Sequence, residues 1–185
     1  MPLTGAPKED VKREVYLCYD KTDEFYRREF DSFLADSFVV KNTEIPNREK
    51  MGQDQYTSTL LGKQIINSQT VLIVLVGNDT SESHLVDWEI FTGLKEGKSD
   101  SLDSYCAMVA LLVPGFKYKK GKQITRRHKI PKRLLDNIDS KYCKIYPWTY
   151  SRVGLQKIVN EAYLQRNEVK DQRVNTAHRL ERPAD

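Results

Sequence analysis

Few side chains in this sequence have a type and spacing suited to chemistry, and the clearest of them is an acid. In SHLVDWEIFTGL, Ser83 to Leu94, Glu89 directly follows Trp88, close to the face of a helix that packing should bury. At about 100° per residue, Val86, Ile90 and Leu94 form one apolar stripe; Leu85, Trp88 and Thr92 lie on the adjoining face, and Glu89 falls between them. Ser83 is placed to cap this helix and Asp87 to complement its dipole in the first turn. Glu89 has no comparable structural use. Its carboxylate either snorkels to solvent at the edge of the stripe or is held inward, where it can act on positive charge. A second group stands in VYLCYDKTDEF, where Tyr19 is followed by Asp20 and Asp23. Asp23 also reads as a cap for the helix after it. Tyr19 and Trp88 read either as aromatic faces for a cationic ring or as packing residues.

Other chemistries lack their residues. No GxGxxG follows the first apparent strand, and no GxxxxGK[ST] or GxSxG occurs. His84, His128 and His178 are scattered without metal-ligand spacing, and the three cysteines form no CxxC pair, so no metal is expected. Cys18, Cys106 and Cys143 sit in apparent strands and read as small hydrophobes of a reducing compartment. MPLTGAPKEDVKRE lacks the apolar core of a secretory signal, and cytoplasmic localisation is expected. The longest apolar runs, VLIVLV and CAMVALLV, fall far short of the ~20 residues of a membrane helix. A net charge of +4 over 185 residues does not mark a nucleic-acid binder.

The elements that must position these residues follow from periodicity. VYLCY, from Val15, suits a first strand. Tyr26, Phe30, Phe33 and Leu34 then recur at helical spacing, supported by the i,i+4 pairs Glu24/Arg28 and Arg27/Asp31. Phe38–Val40 makes a second strand. Lys41 to Gln55 resembles a long polar loop, and Tyr56, Leu60, Leu61 and Ile65 mark a second helix. Val71–Val76 is an unbroken apolar run, as in a parallel strand covered on both faces. After the Glu89 helix, Cys106–Val113 is a fourth strand, CKIY from Cys143 a fifth, and Leu155, Ile158, Val159, Ala162 and Tyr163 a closing helix.

This alternation predicts an α/β fold: three layers around a five-stranded parallel sheet, flavodoxin-like, in the order 2-1-3-4-5. Ligands of such sheets bind beyond the carboxyl ends of the strands near the switch between strands one and three, which brings the Tyr19 and Gly77 loops to the expected site. The predicted organisation is a polar extension over 1–13, the domain over 14–166 and a charged, mobile or extended tail over 167–185. The segment from Lys117 to Arg133 carries nine Lys or Arg and no acid. It reads as a solvated insertion leading into a short helix that docks Leu134, Leu135 and Ile138, or as a phosphate-binding or partner-binding patch.

Two stretches together resemble a known family. VYLCYDKTD is similar to the opening box of TIR domains, F-I-S-Y-x-x-x-D, with Tyr16, Leu17, Cys18, Tyr19 and Asp23 in the corresponding places. SHLVDWEI is similar to the TIR stretch S-x-W-C-x-x-E-L, with Ser83, Leu85, Glu89 and Ile90 in place. The likeness is greatest to the TIR-like DUF1863 family, which includes the TIR component of Thoeris antiphage systems. It departs from the family where Cys18 replaces serine, where Leu85 replaces tryptophan, and in the basic insertion. The resemblance implies that Glu89 is the catalytic glutamate of an enzyme that splits NAD at the nicotinamide–ribose bond. It implies NAD or a related nucleotide as substrate rather than cofactor; by residue type and position, Tyr19, Asp20, Asp23 and Trp88 are the residues expected around it. It implies a cyclic or otherwise modified ADP-ribose signal, a homo-oligomeric active form and a downstream effector protein that reads the product. Two other readings are a noncatalytic TIR interaction module and a receiver-like domain using Asp20 and Asp79.

Overall fold

The computed structural model describes residues 12–41, 45–63, 66–67, 70–95, 105–116 and 129–182. Five strands form one sheet: β1 (Arg13–Cys18), β2 (Phe38–Val40), β3 (Thr70–Val76), β4 (Ala107–Leu112) and β5 (Lys144–Pro147). All neighbours are parallel and the order is β2-β1-β3-β4-β5, the expected topology. The helices are α1 (Glu24–Leu34), α2 (Gln53–Gly62), α3 (His84–Gly93), α4 (Lys132–Asp139) and α5 (Arg152–Gln165).

Strand alternation decides what each layer receives. Val15 and Leu17 of β1 point with Val71, Ile73 and Leu75 of β3 into a core closed by Phe30 of α1 and by Leu155 and Val159 of α5. Tyr16 and Cys18 point the other way, with Leu72, Val74 and Val76, into a core closed by α2, α3 and Leu134 of α4. Every residue of β3 and β4 is buried, as both apolar runs require. The two ion pairs anticipated in α1, Arg28 with Glu24 and Arg27 with Asp31, are present.

Several local expectations change. Gln53–Gly62 is helical and Arg48–Lys50 is a 3-10 turn entered through Asn47 at φ 57°, so the polar stretch after β2 is partly structured rather than one long loop. Leu61 is exposed, whereas Tyr56 and Leu60 are buried; Ile65 lies outside the described residues. α3 is not amphipathic: Leu85 through Ile90 are all buried, because α2, the sheet, α4 and the tail surround it. Ser83 occupies the N-cap position of α3 without a side-chain cap hydrogen bond.

The basic segment divides in two. Residues 117–128 lie outside the described residues, but Arg133 is no solvated cation. It is fully buried, and its Nε donates to Asp87 Oδ1 at 3.0 Å. Asp87 therefore serves an ion pair, beyond the dipole role expected of it. The tail, expected to be mobile or extended, contains a 3-10 turn at Lys170–Gln172, and its residues 174–182 are tethered. Arg133 donates to Asn175 Oδ1 and Ala177 O, Leu180 N donates to Asp87 Oδ2, and Asn137 exchanges hydrogen bonds with the backbone of Val174. The segment 174–182 is thus a strap over α3 and α4, ending where Arg182 donates to the carbonyl of Met51. Among the described residues no helix is long and apolar enough to cross a membrane.

Candidate functional site

Glu89 turns inward. Its side chain leaves the second turn of α3 toward β1, and the residue is 3% exposed, so the snorkelling reading is overturned. Tyr16 Oη donates to Oε1 at 2.7 Å and Tyr56 Oη donates to the same oxygen at 2.5 Å. Cys18 Sγ donates to Oε2 at 2.9 Å. Tyr16 and Cys18 can both reach it because they are two residues apart on one strand and so share a face. Tyr56 comes from the inner side of α2, which packs against α3.

The electrostatics of the cluster are mutually consistent. Burial pushes the Glu89 carboxyl above the usual carboxylate range, against the pull of the three donors and of the Arg48 guanidinium. Burial and the Glu89 charge push the Tyr16 and Tyr56 hydroxyls and the Cys18 thiol upward, so all three keep their protons and remain donors. Burial disfavours charge on Arg48, but Glu89 and the surrounding tyrosines outweigh it and hold the guanidinium firmly protonated.

Two clefts open beside this cluster at the carboxyl end of β1. One, about 370 Å³, lies between Tyr19 and Asp20 on one side and Ser83, His84 and Leu85 on the other. The second, about 480 Å³, runs past Tyr16, Ile45 and Pro46 toward the start of α1. Tyr19, Lys21, Arg48 and Glu49 line both. Glu89 lines neither; Tyr16 connects it to the second cleft, because Tyr16 is among the residues lining that cleft and its hydroxyl donates to the carboxylate.

The structure places the other expected residues unevenly. Tyr19 and Asp20 lie at the clefts, although Asp20 also accepts from Thr22 N and Oγ1 at 3.0 and 2.8 Å and so shapes its own turn. Asp23 is buried elsewhere. It makes no side-chain cap bond to α1; instead Thr80 Oγ1 donates to its Oδ2 at 3.3 Å, while Gly77 N donates to Thr80 Oγ1 at 2.7 Å. A Cβ on Gly77 would stand 2.2 Å from Asp23 Oδ2, so the glycine is what lets the carboxylate pin the loops after β1 and β3 together. Burial, with repulsion from Asp20 and Asp79, raises Asp23 to about 6 against the Thr80 hydrogen bond. Trp88 is buried away from both clefts. Its Nε1 donates to Leu180 O at 2.8 Å, its ring meets His84 edge-on at 4.8 Å, and the recess beside it, about 460 Å³, is walled by the strap and by Met51–Gln53.

Sequence reasoning missed Arg48, Tyr16, Tyr56 and Cys18 as members of this cluster; Cys18, read as a small hydrophobe, is a donor to Glu89. For the tyrosines a signal existed: a tyrosine buried in an apolar stripe needs a partner for its hydroxyl, and Glu89 was the polar residue without a use.

Residues 16–100 match the family model of the Thoeris protein ThsB, TIR-like domain. Over that span, just under half of the chain, the sequence is that of a Thoeris-type TIR-like domain. The match begins at Tyr16 and runs past α3, so it contains Glu89, all three of its donors and Arg48. β4, β5 and the strap lie beyond it, and there the five-stranded parallel order carries the assignment of fold. Comparison with curated proteins and with solved structures gave no match.

Proposed function

We propose that this TIR-like domain cleaves NAD at the nicotinamide–ribose bond, with Glu89 as the catalytic carboxylate. The observation that carries the reading is the Glu89 cluster: a carboxylate buried below the carboxyl end of β1, held by three donors and faced by a cation, within the span matched to the Thoeris TIR-like domain. Glycoside hydrolysis ordinarily needs an acid for the leaving oxygen and a second carboxylate for the ribosyl cation. Nicotinamide in NAD is already cationic and departs neutral, taking the bonding pair with it, so one carboxylate is sufficient. Its work is to orient the ribose hydroxyls and to stabilise the positive charge that develops on the ribose.

The two oxygens of Glu89 are not equivalent for this purpose. Oε1 accepts from two tyrosine hydroxyls, whereas Oε2 accepts from a thiol, a weak donor. A ribose hydroxyl replaces the thiol at Oε2 at least cost. The ribosyl cation is then captured by water, giving ADP-ribose, or by a nucleophile within the same molecule, giving a cyclic product; the second outcome requires a closed site. The active form is a homo-oligomer in this reading, and a separate effector protein reads the product.

One observation favours a noncatalytic interaction module instead: Glu89 is 3% exposed and lines neither cleft, so substrate reaches it only if the side chains between them, Tyr16 first, move aside. One assay separates the two readings. Pure protein is incubated with NAD over a range of protein concentrations and nicotinamide release is followed, beside Glu89→Gln with a melting curve for each. Cleavage by wild type, rising faster than linearly with concentration and reduced ~10²-fold or more in a folded Glu89→Gln variant, supports the enzyme. Cleavage at equal rates by both proteins overturns the role of Glu89, and none by either supports the interaction module.

A further inference from the structure

The two clefts beside Glu89 share one wall, and the composition of that wall points to a ligand. Of the residues lining each, Tyr19, Lys21, Arg48 and Glu49 line both, so any molecule long enough to occupy both must cross them. The crossing carries two cations. Lys21 is exposed and has no ion pair among the described residues. Arg48 is half-buried, and its ion pair with Glu49 is loose, at 3.6 Å between Nε and Oε1. The other cations of the larger cleft differ: Arg27 and Arg28 are engaged with Glu24 and Asp31 of their own helix.

A cleft in two lobes with a cationic waist fits a ligand in two halves with an anionic waist. We propose that the lobes receive the two nucleoside halves of a dinucleotide, with its pyrophosphate gripped at the waist by Lys21 and Arg48. The volumes, about 370 and 480 Å³, are each in the range of small-molecule subsites. Arg48 offers a planar fork that matches two phosphate oxygens, and Lys21 adds a mobile point charge. Tyr19, half-buried, lines the same waist. The grip is built at a fixed position because Arg48 opens a 3-10 turn entered through the left-handed Asn47.

This inference rests on the NAD reading for the identity of the dinucleotide, but its test does not require turnover. Binding of ADP-ribose, of inorganic pyrophosphate and of nicotinamide riboside, which has no phosphate, is measured by calorimetry at low and high salt for wild type, Lys21→Gln, Arg48→Gln and Arg48→Lys. ADP-ribose affinity is expected to fall about tenfold or more in Arg48→Gln, less in Lys21→Gln, and to be partly restored in Arg48→Lys. The loss should shrink at high salt, where the wild-type contact is already screened. Nicotinamide riboside should bind all four proteins alike. Melting curves confirm that each variant is folded. ADP-ribose binding that is unchanged in both glutamine variants, or a loss equally large for nicotinamide riboside, overturns the waist. Phosphate-dependent binding without nicotinamide release from NAD leaves the waist standing and removes the enzymatic reading; release with unchanged binding in Arg48→Gln does the reverse.

Discussion

Tyr56 Oη lies 2.5 Å from Glu89 Oε1, joining α2 to α3 through a hydrogen bond between a buried phenol and a buried carboxylate. Because Tyr16 donates to the same oxygen, Glu89 ties α2 and α3 to β1 through one atom. Tyr56→Phe removes a donor and leaves the ring packing intact. The loss should be about 1–3 kcal/mol, the cost of a missing hydrogen bond to a buried charged group. It should grow as pH rises, because the lost bond favoured the ionised carboxylate and the variant has to bury that charge with one donor fewer. Urea melts at pH 5 and pH 8 measure this. Equal deficits at both pH values would show that the hydroxyl does not act through Glu89.

A second pH dependence comes from Asp23. Its folded value is raised to about 6 by burial, above an unfolded value near 3.9. The folded protein therefore binds a proton more readily than the unfolded chain. Stability contributed by the protonated form is complete below about pH 4 and lost as pH rises through about 6. Asp23→Asn keeps an oxygen for Thr80 and cannot ionise. It should flatten the stability profile between those limits and raise neutral-pH stability by on the order of 1–2 kcal/mol. A profile as steep as that of wild type would assign the dependence to another group.

The fold was legible because its signals are local. Val71–Val76 and Cys106–Val113 are apolar without interruption, which only a strand covered on both faces explains, and the helices on either side show their spacing directly. The site was legible in part. Glu89 stood out as an acid without a structural use, but its partners lie 73, 71 and 33 residues away in the sequence, and no local pattern marks them. Arg48 was hidden in a polar stretch that reads as loop. Arg133 was obscured more thoroughly: within nine cations it looks like one more solvated charge, and only Asp87, 46 residues earlier, makes its burial affordable. The tail likewise looks unstructured by composition, because most of its tethers are hydrogen bonds to α3 and α4, which no local sequence pattern marks.

Those same contacts make a prediction about the strap. Arg133 is the node through which α3, α4 and the tail are joined: its Nε serves Asp87, its Nη1 serves Asn175 and its Nη2 serves Ala177. Arg133→Met fills similar space but leaves Asp87 buried with Leu180 N as its remaining partner. Breaking one side of a buried ion pair costs about 3–5 kcal/mol, so the melting temperature should fall substantially. Adding Asp87→Asn to Arg133→Met removes the stranded charge, and the double variant should be less damaged than the two single losses summed. In Arg133→Met the strap also loses two of its anchors, so limited proteolysis should cut within 174–182 well before the core. A core that unfolds before the strap is cut, or single losses that add without coupling, would show that the ion pair and the tail are stabilised independently. The expected result, early cutting with coupled losses, ties the strap directly to the helix that carries Glu89, since Asp87 and Glu89 stand two residues apart on α3.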